Sequence, residues 1–201
     1  MSKVKNSLAW IEGGYNQFAA EGLDGLHIEP LARKLGLNKS GFYHYFGDLE
    51  GFGSELLQLH ESKVSQFIQE LREAKSLDPE YLHLLVKYST TVMFQMHLTR
   101  TNKNTQYFKV GEELDMRVGL AVQRLWNDFL AIPEDPDLAL RYYNIVRDMY
   151  HTRISFQNLN FSANCICRDE PESPVGKRVL VITPKDVLPT WAVRPGWPKF
   201  A

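Results

Sequence analysis

The chain has 201 residues, 44% of them hydrophobic, and a net charge of −1. That composition supports a packed core and excludes global disorder, and the charge balance excludes a surface coated with cations, so any contact with nucleic acid must come from local placement of charge. Two cysteines, Cys165 and Cys167, are too few for a disulfide scaffold, the opening MSKVKNSLAWIEGGY lacks the apolar centre of a signal peptide, and no run of about 18 apolar residues could span a membrane; the expected location is the cytoplasm.

Val4, Leu8, Ile11, Tyr15 and Phe18 fall at helical spacing and predict a first helix that stops near Gly22. Gly13 and Gly14 lie inside it, each costing about 1 kcal/mol against alanine, so tertiary packing must hold it. A second helix is expected over 28–35, with Glu29 and Pro30 in its first turn and Gly36 as its stop. Asn38 is placed to cap a third helix over 39–46, and Asp48 to cap a longer fourth. The fourth helix shows the stripe Leu56, Leu59, Lys63, Phe67, Leu71, with Lys63 its weak point. Pro79 opens a further helix carried to about Thr99 by Tyr81, Leu84, Leu85, Tyr88, Val92 and Gln95. After the polar break TRTNKNTQ, Leu114, Val118, Val122, Leu125 and Phe129 mark another long helix. IPEDPD is a turn, and Asp137 caps the last clear helix, about 137–158. From 169 to 201 the chain holds six of its ten prolines. No helix runs through that, and RVLVIT inside it is β-like. The reading is all-α with a proline-rich, non-helical C-terminal tail: domains at 1–47 and 48–168, and an extended arm at 169–201.

The stretch LARKLGLNKSGFYHYF carries a small residue at Ala32, glycine at Gly36 and a large apolar residue at Phe42. Two short helices can cross closely at the alanine, turn at a positive-φ glycine and lock through the phenylalanine, which is a helix-turn-helix arrangement. With WIEGGYNQFAAEGLDGL before it and the aromatic finish of IEPLARKLGLNKSGFYHYFGDLEGF, the first fifty or so residues resemble the TetR family of transcriptional regulators. The resemblance implies an N-terminal three-helix DNA-binding domain and a C-terminal helical ligand and dimerisation bundle. It further implies a ligand-responsive repressor that binds a palindromic operator in duplex DNA as a homodimer, with no enzyme activity, no cofactor and no membrane partner.

On that reading Lys39 and Ser40 open the third helix where exposed amides favour phosphate. Gly41 lets the helix approach the groove, Tyr43 and Tyr45 reach phosphates through their hydroxyls, and His44 touches a base edge or a phosphate. Arg33 and Lys34 lie near the backbone, and His27 stands where the family often has a phosphate-binding threonine. The family usually places a lysine at the start of its fourth helix, but this chain reads Gly47-Asp48-Leu49-Glu50. Residues 1–47 hold five basic and four acidic side chains, so weak, salt-sensitive binding is expected.

The body is rich in aromatic residues and methionine, which suits a mainly apolar pocket between bundle helices. Tyr88, Met93, Phe94, His97, Trp126, Tyr143 and Arg147 are the candidate pocket residues for an unknown small hydrophobic or aromatic effector, with His83 and Gln95 as further polar candidates. Leu138, Tyr142, Ile145, Met149 and Phe156 share one helix face and are read as the dimer seam; Tyr143, Val146, Tyr150 and Ile154 form a second apolar face. Cys165 and Cys167 lack the paired spacing or histidine partners of a zinc site, and no nucleophile elbow or phosphate loop is present. Two other functions are compatible with the same residues: a non-catalytic protein-interaction module with a degenerate DNA-binding face, and an enzyme built in the aromatic pocket, for which no acid/base cluster is visible in the sequence.

Overall fold

The computed structural model describes residues 3–103, 105–131 and 135–153. It is all-α: α1 (Lys3–Glu21), α2 (Ile28–Leu35), α3 (Lys39–Phe46), α4 (Leu49–Glu73), a wide turn over Leu77–Tyr81, then α5 (Leu82–Lys87), α6 (Ser89–Thr99), α7 (Gln106–Leu130) and α8 (Pro136–Arg153). The 169–201 arm, RVLVIT, both cysteines and Phe156 lie outside the described residues. The first three helices begin and end where local chemistry dictates. Gly36 ends α2 with φ 64°, in the left-handed region that glycine enters without penalty. Asn38 accepts from the Ser40 amide at 2.9 Å, and Asp48 from the Gly51 amide at 2.8 Å, each satisfying one orphan donor of a first turn.

Phe42 is fully buried at the centre of the head, edge-on to Trp10 of α1 at 5.2 Å and to Phe52 of α4 at 4.9 Å. The cost of glycine inside α1 has its explanation in that core. A Cβ on Gly14 would stand 2.3 Å from Cζ of Phe52, so the two helices meet only because the side chain is missing. The same core continues into the body, because α6 supplies Met93, Phe94, Met96 and Leu98 beside Trp10, Tyr15 and Phe18. Phe94 stacks on Tyr15 at 4.4 Å and on Phe18 at 4.1 Å. A second core, built on Phe67, Leu71, Leu114, Leu125, Trp126 and Tyr143, holds α4, α7 and α8 together.

Two expectations shift. The helix expected to run unbroken from Pro79 to Thr99 is divided at Tyr88, whose φ of −98° and ψ of 25° separate α5 from α6. Ser89-Thr90-Thr91 are weak helix formers, and Tyr88 is drawn aside by donating to Glu70 at 2.7 Å. The buried stripe of α4 runs Phe52, Leu56, His60, Val64, Phe67, Leu71, with Leu59 and Lys63 half-buried at its flank. Lys63 keeps its charge in water and lays its ammonium over the Tyr15 ring at 5.3 Å.

Candidate nucleic-acid interface and the cavity behind it

With Phe42 turned inward, the opposite side of α3 carries Ser40, Tyr43 and His44, all exposed. Tyr43 rests edge-on against Phe42 at 5.5 Å, which fixes a large amphipathic ring on the surface. Lys39 at the start of α3, Arg33 and Lys34 in the last turn of α2, and His27 at the start of α2 are exposed as well. A Cβ on Gly41 would meet only Tyr45 Cε2 at 3.7 Å, so the helix has no internal need of glycine there. Tyr45 and Phe46 are half-buried and pack at the rim of the head core. The start of α4 presents Asp48, Leu49 and Glu50, all exposed.

Behind the head, α4 to α8 enclose a cavity of about 200 Å³. Its wall is formed by Val64, Phe67, Leu85, Val92, Val118, Phe129 and Val146, with Tyr81, Tyr88, Trp126, Tyr143 and Tyr150 among them and Thr91, Gln95, Asp115, Arg147 and His151 as the polar groups. Of the residues singled out in the sequence, Tyr88, Trp126, Tyr143 and Arg147 come together here. Met93, Phe94 and His97 do not. They lie on the face of α6 that packs on α1, where a Cβ on Gly22 would lie 2.9 Å from Nδ1 of His97; the face bearing Thr91, Val92 and Gln95 lines the cavity instead. The seam read on α8 is also divided. Met149 lines the cavity, Leu138 and Tyr142 are half-buried in their own chain, and Ile145 is exposed. The division arises because α8 packs along α7 on one flank and closes the cavity with the other.

A row of buried polar side chains joins the cavity to the head. Tyr15 of α1 donates its hydroxyl to His60 Nδ1 at 2.8 Å, and His60 Nε2–H donates to Gln95 Oε1 at 2.8 Å. Gln95 Nε2 donates to Asp115 Oδ1 at 2.8 Å and to the Gly111 carbonyl at 2.7 Å. Arg147 of α8 faces the other Asp115 oxygen at 3.6 Å. One proton arrangement satisfies the whole row: neutral His60 as the Nε2–H tautomer, with every donor facing an acceptor. Five helices are pinned by it. Neither His60 nor Asp115 stood out in the sequence. The available signal was a single histidine inside the apolar stripe Leu56-x₃-His60-x₃-Val64.

Burial pushes the His60 imidazole down from 6.5 to about 4, opposed by its bond to Gln95 and aided by the nearby Lys63 charge. Asp115 is pushed up by burial, against the pull of Arg147. A base whose folded pKa is lowered contributes stability above its unfolded pKa and loses it as pH falls toward the folded value, because only the unfolded chain takes up the proton. Between about pH 6.5 and pH 4 His60 therefore removes about 3 kcal/mol of stability. Asp115 acts in the opposite sense. Melting curves of the wild type and of His60→Leu across this range isolate the histidine: the wild type should lose stability more steeply on acidification, and parallel curves would contradict the assignment.

Residues 11–52 match the model of the family described as bacterial regulatory proteins, tetR family. Comparison with curated proteins and with solved structures gives no match. The matched segment begins within α1 and ends in the first turn of α4, so it covers the helix-turn-helix with its buried Phe42 anchor and the exposed side chains of α3. By that segment and its geometry, residues 11–52 form a helix-turn-helix domain similar to that of the tetR family of bacterial regulatory proteins.

Proposed function

We propose that the chain is a ligand-responsive repressor that binds a palindromic operator as a homodimer, without catalytic activity, in the cytoplasm. The observation that carries the reading is the joining of two parts. An exposed helix-turn-helix face stands at one end, an apolar cavity at the other, and Tyr15, His60 and Gln95 bridge them by buried hydrogen bonds. His27, Arg33, Lys34, Lys39, Ser40, Tyr43, His44 and Tyr45 supply the DNA contacts, with Gly41 allowing close approach. An effector in the cavity acts on α6 and α7, and through the row on α1, changing the separation of the two reading heads in the dimer. Ile145 on α8, together with Met116 and Leu120 on α7, all exposed, supports a partner chain against the last two helices.

The test is fluorescence anisotropy with duplexes tiled from the region upstream of the coding sequence, at two salt concentrations, with Tyr43→Ala beside the wild type. Saturable binding is expected on one tile, weakened by salt and at least about ten-fold weaker in the variant, the size of a lost buried or charge-assisted contact on each of two subunits. Absence of binding to every tile at low salt would overturn the reading. It would favour a protein-interaction module, a second reading supported by the acidic Asp48 and Glu50 beside the expected phosphate track.

A further inference from the structure

The charges that line the cavity do not balance. Asp78, exposed in the wide turn before α5, and Asp115 of α7 stand against Arg147 of α8 alone. His151, the imidazole of the wall, is pushed down to about 4 by burial and is neutral near pH 7. Nor does Arg147 serve Asp115 fully. Its Nε and one terminal nitrogen donate to the exposed Asp148 at 3.1 and 2.9 Å, whereas its other terminal nitrogen stands 3.6 Å from Asp115 Oδ2, beyond hydrogen-bond reach. Asp115 Oδ1 accepts from Gln95 at 2.8 Å. Oδ2 accepts from none of the described residues, yet it is not one of the sealed polar atoms, and the side chain lines the cavity with 13% of its surface accessible. A half-supplied carboxylate in a mainly apolar wall is costly. Burial accordingly raises the proton affinity of the Asp115 carboxyl against the pull of Arg147. Around it stand the rings of Tyr81, Tyr88, Phe129, Tyr143 and Tyr150, and the guanidinium of Arg147 already lies 5.8 Å from the Tyr143 centroid.

We propose that the cavity takes a small ring-bearing primary amine in its ammonium form, which donates an N–H to Asp115 Oδ2 and rests its charge among the tyrosine rings. The biological meaning of such a ligand rests on the effector-responsive reading, although its binding can be measured without DNA. The size follows from the volume: a cavity of about 150 Å³ lined by apolar side chains takes benzene, and this one is about 200 Å³. The sign follows from the wall. An anion would add a third carboxylate to Asp78 and Asp115, or would have to draw Arg147 away from Asp115 and Asp148. A hydrocarbon leaves Oδ2 as it is. A hydroxyl of the same shape donates to Oδ2 but supplies no charge, whereas an ammonium makes a charge-assisted bond, the stronger kind, and gains from the ring faces besides. The N–H is required because burying an ammonium is repaid only where pairing and hydrogen bonding come together.

The experiment is calorimetric titration of the full chain near pH 7 with four probes on one ring frame: 2-aminoindane, 2-indanol, indane and indane-2-carboxylate. 2-Aminoindane is expected to bind about ten-fold more tightly than 2-indanol, the difference between a charge-assisted and a neutral hydrogen bond, and the carboxylate most weakly. In Asp115→Asn, 2-indanol binding should persist and the advantage of 2-aminoindane should shrink to within about two-fold. Arg147→Met keeps most of the side-chain stem but removes the competing cation, so it should bind 2-aminoindane more tightly than the wild type does. Equal affinities of 2-aminoindane and 2-indanol for the wild type would overturn the proposal even if both variants misfold. An ammonium preference that survives in folded Asp115→Asn, or weaker amine binding in folded Arg147→Met, would overturn the assignment to Asp115. Tightest binding of the carboxylate would overturn the sign, and failure of all four probes would remove the cavity as a site for ligands of this size. The same preparation is tested on duplex DNA: DNA binding without an ammonium preference defeats this inference alone, and ammonium binding without DNA binding defeats the regulator reading alone.

Discussion

His60→Leu is expected to lower stability by about 3 kcal/mol, because it orphans two buried groups at once. Leucine restores most of the volume, so cavity formation is minor. What it cannot do is accept from the Tyr15 hydroxyl or donate to the Gln95 carbonyl, both 2.8 Å from the imidazole in the wild type. Each group left unpaired in the interior costs about 1–3 kcal/mol. The ring also loses its stack on Phe94, 4.4 Å between centroids. For a chain of this length about 3 kcal/mol corresponds to a melting temperature lower by about 6–12 °C, readable by circular dichroism. Gln58→Leu, two residues away and exposed, should change stability by no more than about 0.5 kcal/mol. The functional consequence is separate. If the row transmits effector binding to α1, His60→Leu should still bind a cavity ligand while its DNA affinity no longer responds to that ligand. A variant that melts with the wild type would mean that the row contributes nothing to the fold.

The head was legible in the sequence because its signals are local. Asn38, Asp48, Gly22 and Gly36 cap or stop helices through their own backbone neighbours, and the Ala32, Gly36, Phe42 spacing encodes a crossing that needs no distant partner. The cavity was legible only in part, because the sequence shows that α6 is apolar on every side but not which side meets which neighbour. Met93 and Phe94 are as apolar as Val92, and only the packing of α1 assigns the first two to the head and the last to the cavity. The same holds for α8, where Met149 belongs to the stripe with Ile145 by spacing but to the cavity by contact. His60 and Asp115 were hidden for a different reason. Their partners stand 45 and 35 positions away for His60 and 20 for Asp115, and nothing in a helical period reports a bond across such distances.

Leu49→Lys is expected to tighten DNA binding and to make it more salt-sensitive. The head holds five basic and four acidic residues between positions 1 and 47, and α4 then opens on Asp48, Leu49 and Glu50 at the position where the family resemblance implies a lysine against a phosphate. Leu49 is 39% exposed, so its side chain can be exchanged without opening the core. Asp48 remains free to cap the Gly51 amide. A cation in the first turn opposes the helix dipole and costs about 0.3–1 kcal/mol of stability, which predicts slightly lower melting with higher affinity, a combination that general stabilisation cannot produce. In the proposed dimer, one added phosphate contact per subunit steepens the logarithmic salt dependence by about 1.8, so the advantage over the wild type should shrink by roughly ten-fold between 50 and 200 mM salt. Gly47→Lys carries the same charge two residues earlier but is the poorer choice, since Gly47 has φ 76° and a side chain there brings about 1–3 kcal/mol of backbone strain. Anisotropy titrations of Leu49→Lys at several salt concentrations decide the matter: lines parallel to the wild type would mean that the start of α4 does not face the DNA backbone, and the acidic pair beside it would then be no obstacle to binding.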